Sequence, residues 1–169
     1  CYSTGNILGE SSGGICGSYA GDSEGKSEMI SCYSIGDISG NLSGGICGSY
    51  AAGYNGTVIV TYCYSLGAVS ASGSGGICGS DSGNTDGTVT ISNSYSLGAI
   101  SASGSGGICG SDTGSFGGTV TVTNCYSAGQ TSTGGQSLFG SIASGNQSVT
   151  FPECYIADGS WNDMAAVAA

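Results

Sequence analysis

The sequence predicts an all-β protein, a parallel β-helix (β-solenoid) with about 31 residues per coil and three short strands in each coil. Three observations predict it. Motifs recur at a fixed interval, one segment of every repeat alternates with period two, and the glycines fall at constant places. Cys-Tyr-Ser begins at Cys1, Cys32, Cys63 and Cys125, and Ser-Tyr-Ser at Ser94, each 31 residues after the last. Cys154-Tyr155 follows after 29. Gly-Gly-Ile-Cys-Gly-Ser begins at Gly13, Gly44, Gly75 and Gly106, again 31 apart, and the fifth unit carries Leu138-Phe139-Gly140-Ser141 instead. The units are therefore 1–31, 32–62, 63–93, 94–124 and 125–153, with a sixth starting at 154. Residues 1–155 read as one solenoid, and residues 156–169 as a C-terminal cap or the end of an excerpt.

Within a repeat the first strand is expected over Cys63 to Ser70, the second around Ile77 and the third over Thr88 to Ser92. Alternation is clearest in the third. Val58 and Val60, Val89 and Ile91, Val120 and Val122, and Val149 and Phe151 take one face, with Thr57, Thr88, Thr119 and Ser148 on the other. That is the pattern of a half-buried strand. Gly-rich stretches supply corners and close approaches between them. One such unit cannot bury its own apolar face, whereas stacked units can, about 4.8 Å apart in parallel register. Stacking turns recurring positions into files: Tyr2, Tyr33, Tyr64, Tyr95, Tyr126 and Tyr155; Ile15, Ile46, Ile77, Ile108 and Leu138; Ile7, Ile38, Val69, Ile100 and Thr131. The glycines leave open which of Tyr64 and Leu66, or Ile77 and Cys78, points inward.

Composition narrows the function. Of 169 residues only 7% are charged, with Lys26 the one cation and a formal charge of −10. Nucleic acids and anionic membrane surfaces are bound through Lys and Arg, so neither is an expected partner. No apolar run approaches the length of a membrane span, so direct insertion is not expected either. With no His in the chain, Ser-His-Asp and Cys-His catalysis are excluded, and no Gly-Lys-Ser/Thr follows the glycines to make a phosphate cradle. A polysaccharide-active enzyme on this fold would need a carboxylate cluster in a groove. Asp81 and Asp112 share a rung position, and the loop carrying Asp81, Asn84 and Asp86 is oxygen-rich, but it matches no calcium-binding pattern and reads as a solvated turn. No catalysis, cofactor or metal is expected.

Nine cysteines without a CxxC pair, in an acidic chain rich in hydroxyls, favour an oxidising, extracellular or cell-surface setting. Cys16 and Cys32, Cys47 and Cys63, and Cys109 and Cys125 are each 16 apart and are candidates for bridges across a thin core. The intervals Cys1–Cys16, Cys32–Cys47 and Cys63–Cys78 are 15, so a second pairing is open. Stacked free thiols acting as small hydrophobes are the other reading, and Ser94 and Phe139, each removing one cysteine without its partner, suit it. Asn41, Asn55 and Asn146 lie in N-glycosylation sequons. Thr57, Thr88, Thr90, Thr119, Thr121 and Thr123 would face outward as a Thr-x-Thr array, interrupted at Ile59. By analogy with solenoids that present such arrays to ice, this is a candidate ice-binding face.

The repeat resembles the GLUG repeats of large bacterial surface proteins. Asn124-Cys125-Tyr126-Ser127-Ala128-Gly129 matches the start of that motif. Gly44-Gly45-Ile46-Cys47-Gly48 matches its Gly-Gly core, with Cys where the family usually has Val. The resemblance covers residues 1–155. It implies a right-handed parallel β-helix used as a passive stalk in adhesins and secreted proteins, with no catalytic residues to carry over. The expected function is an extracellular structural repeat, either an adhesin stalk or a fibre subunit self-associating end to end into filaments. A cell-surface or glycan ligand is the further partner class, and ice binding is the alternative.

Overall fold

A computed structural model describes residues 1–131, 135–136, 138–143 and 148–156. In chain order its strands are β1 (Tyr2–Ser3), β2 (Lys26–Ile30), β3 (Tyr33–Ser34), β4 (Thr57–Thr61), β5 (Tyr64–Ser65), β6 (Thr88–Ser92), β7 (Tyr95–Ser96), β8 (Ser105–Gly106), β9 (Thr119–Thr123), β10 (Tyr126–Ser127), β11 (Gly135–Gln136), β12 (Ser148–Thr150) and β13 (Tyr155–Ile156). They form three parallel sheets, ordered β1-β3-β5-β7-β10-β13, β2-β4-β6-β9-β12 and β8-β11. Like pairs with like: Tyr33 lies beside Tyr64, and Val58, Val60 beside Val89, Ile91. The molecule is a β-solenoid of about five turns, and the described residues contain no helix. At the ordinary strand spacing five turns stand about 24 Å tall.

The third strand of each coil is as the alternation predicts. Val58, Val60, Val89, Ile91, Val120 and Val122 are fully buried, and the residues between them face out. The first predicted strand is broken. Only Tyr64–Ser65 pair as a strand, and Val69 makes an isolated bridge with Ile38 and Ile100. Between them lies Gly67, where an added Cβ would meet the Gly36 carbonyl oxygen of the neighbouring coil. The chain there runs too close to its neighbour for a regular pleat.

The second segment is a bend. The N–H groups of both Ile77 and Cys78 donate to the Ile108 carbonyl, at 3.0 and 2.9 Å, and the same sharing recurs at Ile46 and Cys47 on Ile77. Two consecutive amides on one acceptor break the alternation, so both side chains point inward and both are fully buried. Tyr64 and Leu66, by contrast, both face out.

The interior is divided in two. Ile46, Ile77, Ile108, the third-strand valines and most cysteines form one apolar column. Ile7, Ile38, Val69 and Ile100 form a second, separate one. The partition between them is a seam of glycine against serine. A Cβ on Gly45 would lie 2.5 Å from Ser65 Oγ, and one on Gly76 2.2 Å from Ser96 Oγ. Ser34, Ser65, Ser96 and Ser127 are buried there, and their hydroxyls have no conventional partner among the described residues. What faces Ser34, Ser65 and Ser96 is the Cα–H of Gly14, Gly45 and Gly76, a weak donor.

Several corners sit in the left-handed region at residues other than glycine. Ser31, Tyr62, Asn93 and Asn124 occupy one corner with φ of 54°, 55°, 49° and 50°. Asn tolerates this geometry because its short amide can bond locally. Asn124 Nδ2 donates to Asn93 Oδ1 at 2.6 Å, so the corner is itself a rung. The shorter last interval is absorbed in two single-residue steps. Ile100 pairs with Thr131, 31 residues on; Cys109 with Phe139, 30 on; Thr113 with Ile142, 29 on.

Candidate binding faces and the thiol files

The outward face of the β2-β4-β6-β9-β12 sheet carries the Thr-x-Thr array. Strand register stacks Thr57, Thr88 and Thr119 in one row and Thr90 on Thr121 in another, with Thr123 beside Ser92. Neighbours in a row are about 4.8 Å apart, and rows about 6.6 Å apart along the strand. Thr88 is exposed and the other five are half-buried. Thr61 and Ser92 hydroxyls are bonded at 3.1 Å, and Thr150 donates to Thr121 at 3.4 Å. The array is bounded at the first coil, where Lys26 and Glu28 face out as an ion pair at 2.6 Å. Ile59 stands where Thr90 and Thr121 stand in later coils.

The opposite character belongs to the sheet that carries the tyrosines. Tyr2, Tyr33, Tyr64 and Tyr95 stack ring on ring, with centroids 5.4, 5.0 and 5.0 Å apart and planes within 12°. Because each ring covers the next, the file presents edges and hydroxyls, not open ring faces. Two residues on, Ile35, Leu66 and Leu97 are exposed and form an apolar row beside it. The sequence placed these aliphatics at a known spacing but could not say which way they point.

A second aromatic file, Tyr19 on Tyr50 at 5.1 Å, gives way to carboxylates. Asp81 and, behind it, burial raise the pKa of Tyr50. Asp81 itself is raised above the usual carboxylate range, first by burial and also by repulsion from Asp112. Asn84 donates to Asp81 Oδ1 at 3.4 Å and is buried, so this turn is less solvated than its composition suggests.

The cysteines form two files. Cys16, Cys47, Cys78 and Cys109 bridge backbone to backbone and end on Phe139. Cys1, Cys32, Cys63, Cys125 and Cys154 form the other, with Ser94 in place between Cys63 and Cys125. All nine are free thiols in this structure, the candidate pairs Cys16–Cys32, Cys47–Cys63 and Cys109–Cys125 among them. Sulfur meets sulfur along each file. Cys47 and Cys109 both bond to Cys78, which together with burial holds their pKa values well above the usual thiol range. Burial pushes the Cys63 thiol up to about 11. In the other file, the backbone N–H of one coil donates to the side chain of the next, as Cys32 does to Cys63 Sγ at 3.4 Å and Cys63 to Ser94 Oγ at 3.1 Å.

Asn41 and Asn55 are exposed, and Asn55 has φ of 60° at a corner. Asn146 lies outside the described residues. Comparison with known proteins returned no match to a family, a curated protein or a solved structure. The GLUG resemblance therefore rests on the motif residues alone.

Proposed function

We propose that the chain is a structural repeat element, a stiff segment of a secreted or surface-displayed stalk or fibre. The observation that carries this reading is residue-on-residue register: Tyr2 to Tyr155 in one sheet and Lys26 to Thr150 in another run through every coil. Backbone ladders of this kind resist bending along their whole length, and each coil depends only on its neighbours. The acidic, hydroxyl-rich exterior suits such a rod to water, and the GLUG-like motif accords with a stalk. Electron microscopy of the isolated chain tests the proposal. Particles about 24 Å along the stack are expected for a stalk element, lengthening by about 4.8 Å at constant width for each coil added to the repeat, and filaments of uniform width for a fibre subunit. Particles that widen as coils are added, with no filaments, would overturn it.

One observation favours a second reading, ice binding. The Thr57-Thr88-Thr119 and Thr90-Thr121 rows form an in-register array of threonines on five-residue strands, interrupted at Ile59. Thermal hysteresis that is lost in Thr90→Tyr and Thr121→Tyr, with folding unchanged, would establish it. Absence of hysteresis in the native chain would dismiss it.

A further inference from the structure

The first thiol file is interrupted once. Ser94 occupies the place between Cys63 and Cys125, and Cys63 N–H donates to its hydroxyl at 3.1 Å. Cys1, Cys32 and Cys63 therefore share neighbours, as do the four cysteines of the second file. Cys125 and Cys154 are left as an isolated pair, each the other's only thiol neighbour within the file. We propose that Cys125 and Cys154 form an inter-coil disulfide by exchange with a small-molecule disulfide, locking the start of the sixth coil onto the fifth.

The geometry supports this pairing. Tyr126 is in register with Tyr155, so the residues just before them are neighbours on adjacent parallel strands. Strand spacing of about 4.8 Å lies inside the Cα window of about 4.4–6.8 Å that a disulfide needs. Both sulfurs sit on the same side of their strands. Cys125 Sγ bonds the Thr123 carbonyl at 3.3 Å, and Cys154 Sγ bonds the Val122 and Pro152 carbonyls at 3.3 and 3.6 Å. The two thiols are also bonded to each other, and the Cys125 backbone N–H donates to the Cys154 sulfur.

Their environments divide the roles. Cys125 is buried, whereas Cys154 is partly exposed. The bond from the Cys125 thiol, helped by its backbone N–H, lowers the pKa of Cys154 against the effect of burial. The thiolate is the attacking species. Cys154 thiolate attacks one sulfur of the reagent, breaking its S–S bond and expelling a thiolate that takes up the proton Cys154 released. Cys125 then attacks the Cys154 sulfur of the mixed disulfide. Its proton goes to the second departing thiolate. Two protein thiols are oxidised, and one reagent disulfide is reduced to two thiols.

The test uses the full chain and limiting oxidised glutathione, with free thiols trapped by N-ethylmaleimide and chymotryptic peptides mapped by mass spectrometry. The first product is expected to have lost two hydrogen atoms and to link the Cys125 and Cys154 peptides. Cys154→Ser should abolish this first phase. Cys125→Ser should stop at a glutathione adduct on Cys154. A first bridge at any other pair, in the unsubstituted chain, overturns the proposal. So does a Cys154 that stays alkylatable while other cysteines oxidise. Neither result depends on a variant that must fold.

Discussion

Gly45 has no room for a methyl group. An added Cβ would lie 2.2 Å from the Gly76 carbonyl oxygen and 2.5 Å from Ser65 Oγ. Neither is the far end of a flexible chain, so Gly45→Ala must push two walls of the coil apart. Its stability in urea is expected to fall by more than that of an exposed alanine substitution such as Ser70→Ala, measured by the unfolding midpoint. Ile77 makes the opposite kind of contribution, filling space between Ile46 and Ile108. Ile77→Ala is expected to cost about 2–5 kcal/mol, the range for a buried large-to-small change, read from the same unfolding curves. Asp81 sets a pH dependence. Its folded pKa is raised, so the folded state holds the proton more tightly than the unfolded one. Its stabilising contribution is full below the unfolded value of about 3.9 and is lost as pH rises through the higher folded value. Asp81→Asn should flatten that segment of the stability–pH curve and leave the molecule more stable at neutral pH. A curve unchanged by the substitution would show that the folded pKa of Asp81 is not raised.

Among the elements, the third strand was the most legible in the sequence and the second segment the least. Val89 and Ile91 alternate with Thr88, Thr90 and Ser92, and period two translates directly into inside and outside. Gly-Gly-Ile-Cys obeys no period, because Ile77 and Cys78 share one acceptor carbonyl and both turn inward. That sharing depends on a neighbouring coil and is invisible within a single repeat. The same limit applies to the thiols. Spacings of 15 and 16 suggested partners across the coil, whereas the thiol-to-thiol contacts run between coils, along each file. The Thr array, by contrast, was legible because it lies on the one regular strand. Substitutions at its exposed Thr88 position should barely touch stability: Thr88→Ser is expected to shift the unfolding free energy by about 0.5 kcal/mol or less, as surface changes do.

For the molecule as a whole, the period itself is the organising quantity. Removing residues 63–93 takes out one complete coil and leaves β4 facing β9 and β5's place filled by β7. Val58 would then meet Val120, and Tyr33 would meet Tyr95. The shortened chain is expected to fold, with its height along the stack reduced by about 4.8 Å, measured by small-angle scattering. Removing half that length should not give a folded product, because inward and outward files would be brought into register with each other. The repeat count was readable from the sequence, while the two internal compartments were not: they come from Ser65 meeting Gly45 across the coil, a contact with no signature at either position alone.

Near-identity from coil to coil also carries a kinetic hazard. An incoming segment that reads Gly-Gly-Ile-Cys-Gly-Ser finds the berth meant for it and the one above almost equally welcoming, and a chain that skips a place must loop out a whole turn. Such misassembly is characteristic of repeat proteins. The departures from the repeat then act as addresses. Phe139 pairs with Cys109 and lies with its ring 5.6 Å from that of Phe151 in its own coil. A Gly-Gly-Ile-Cys coil docking above that turn would meet a ring where the earlier coils offer a thiol, so the irregular turn marks where the regular run of coils stops.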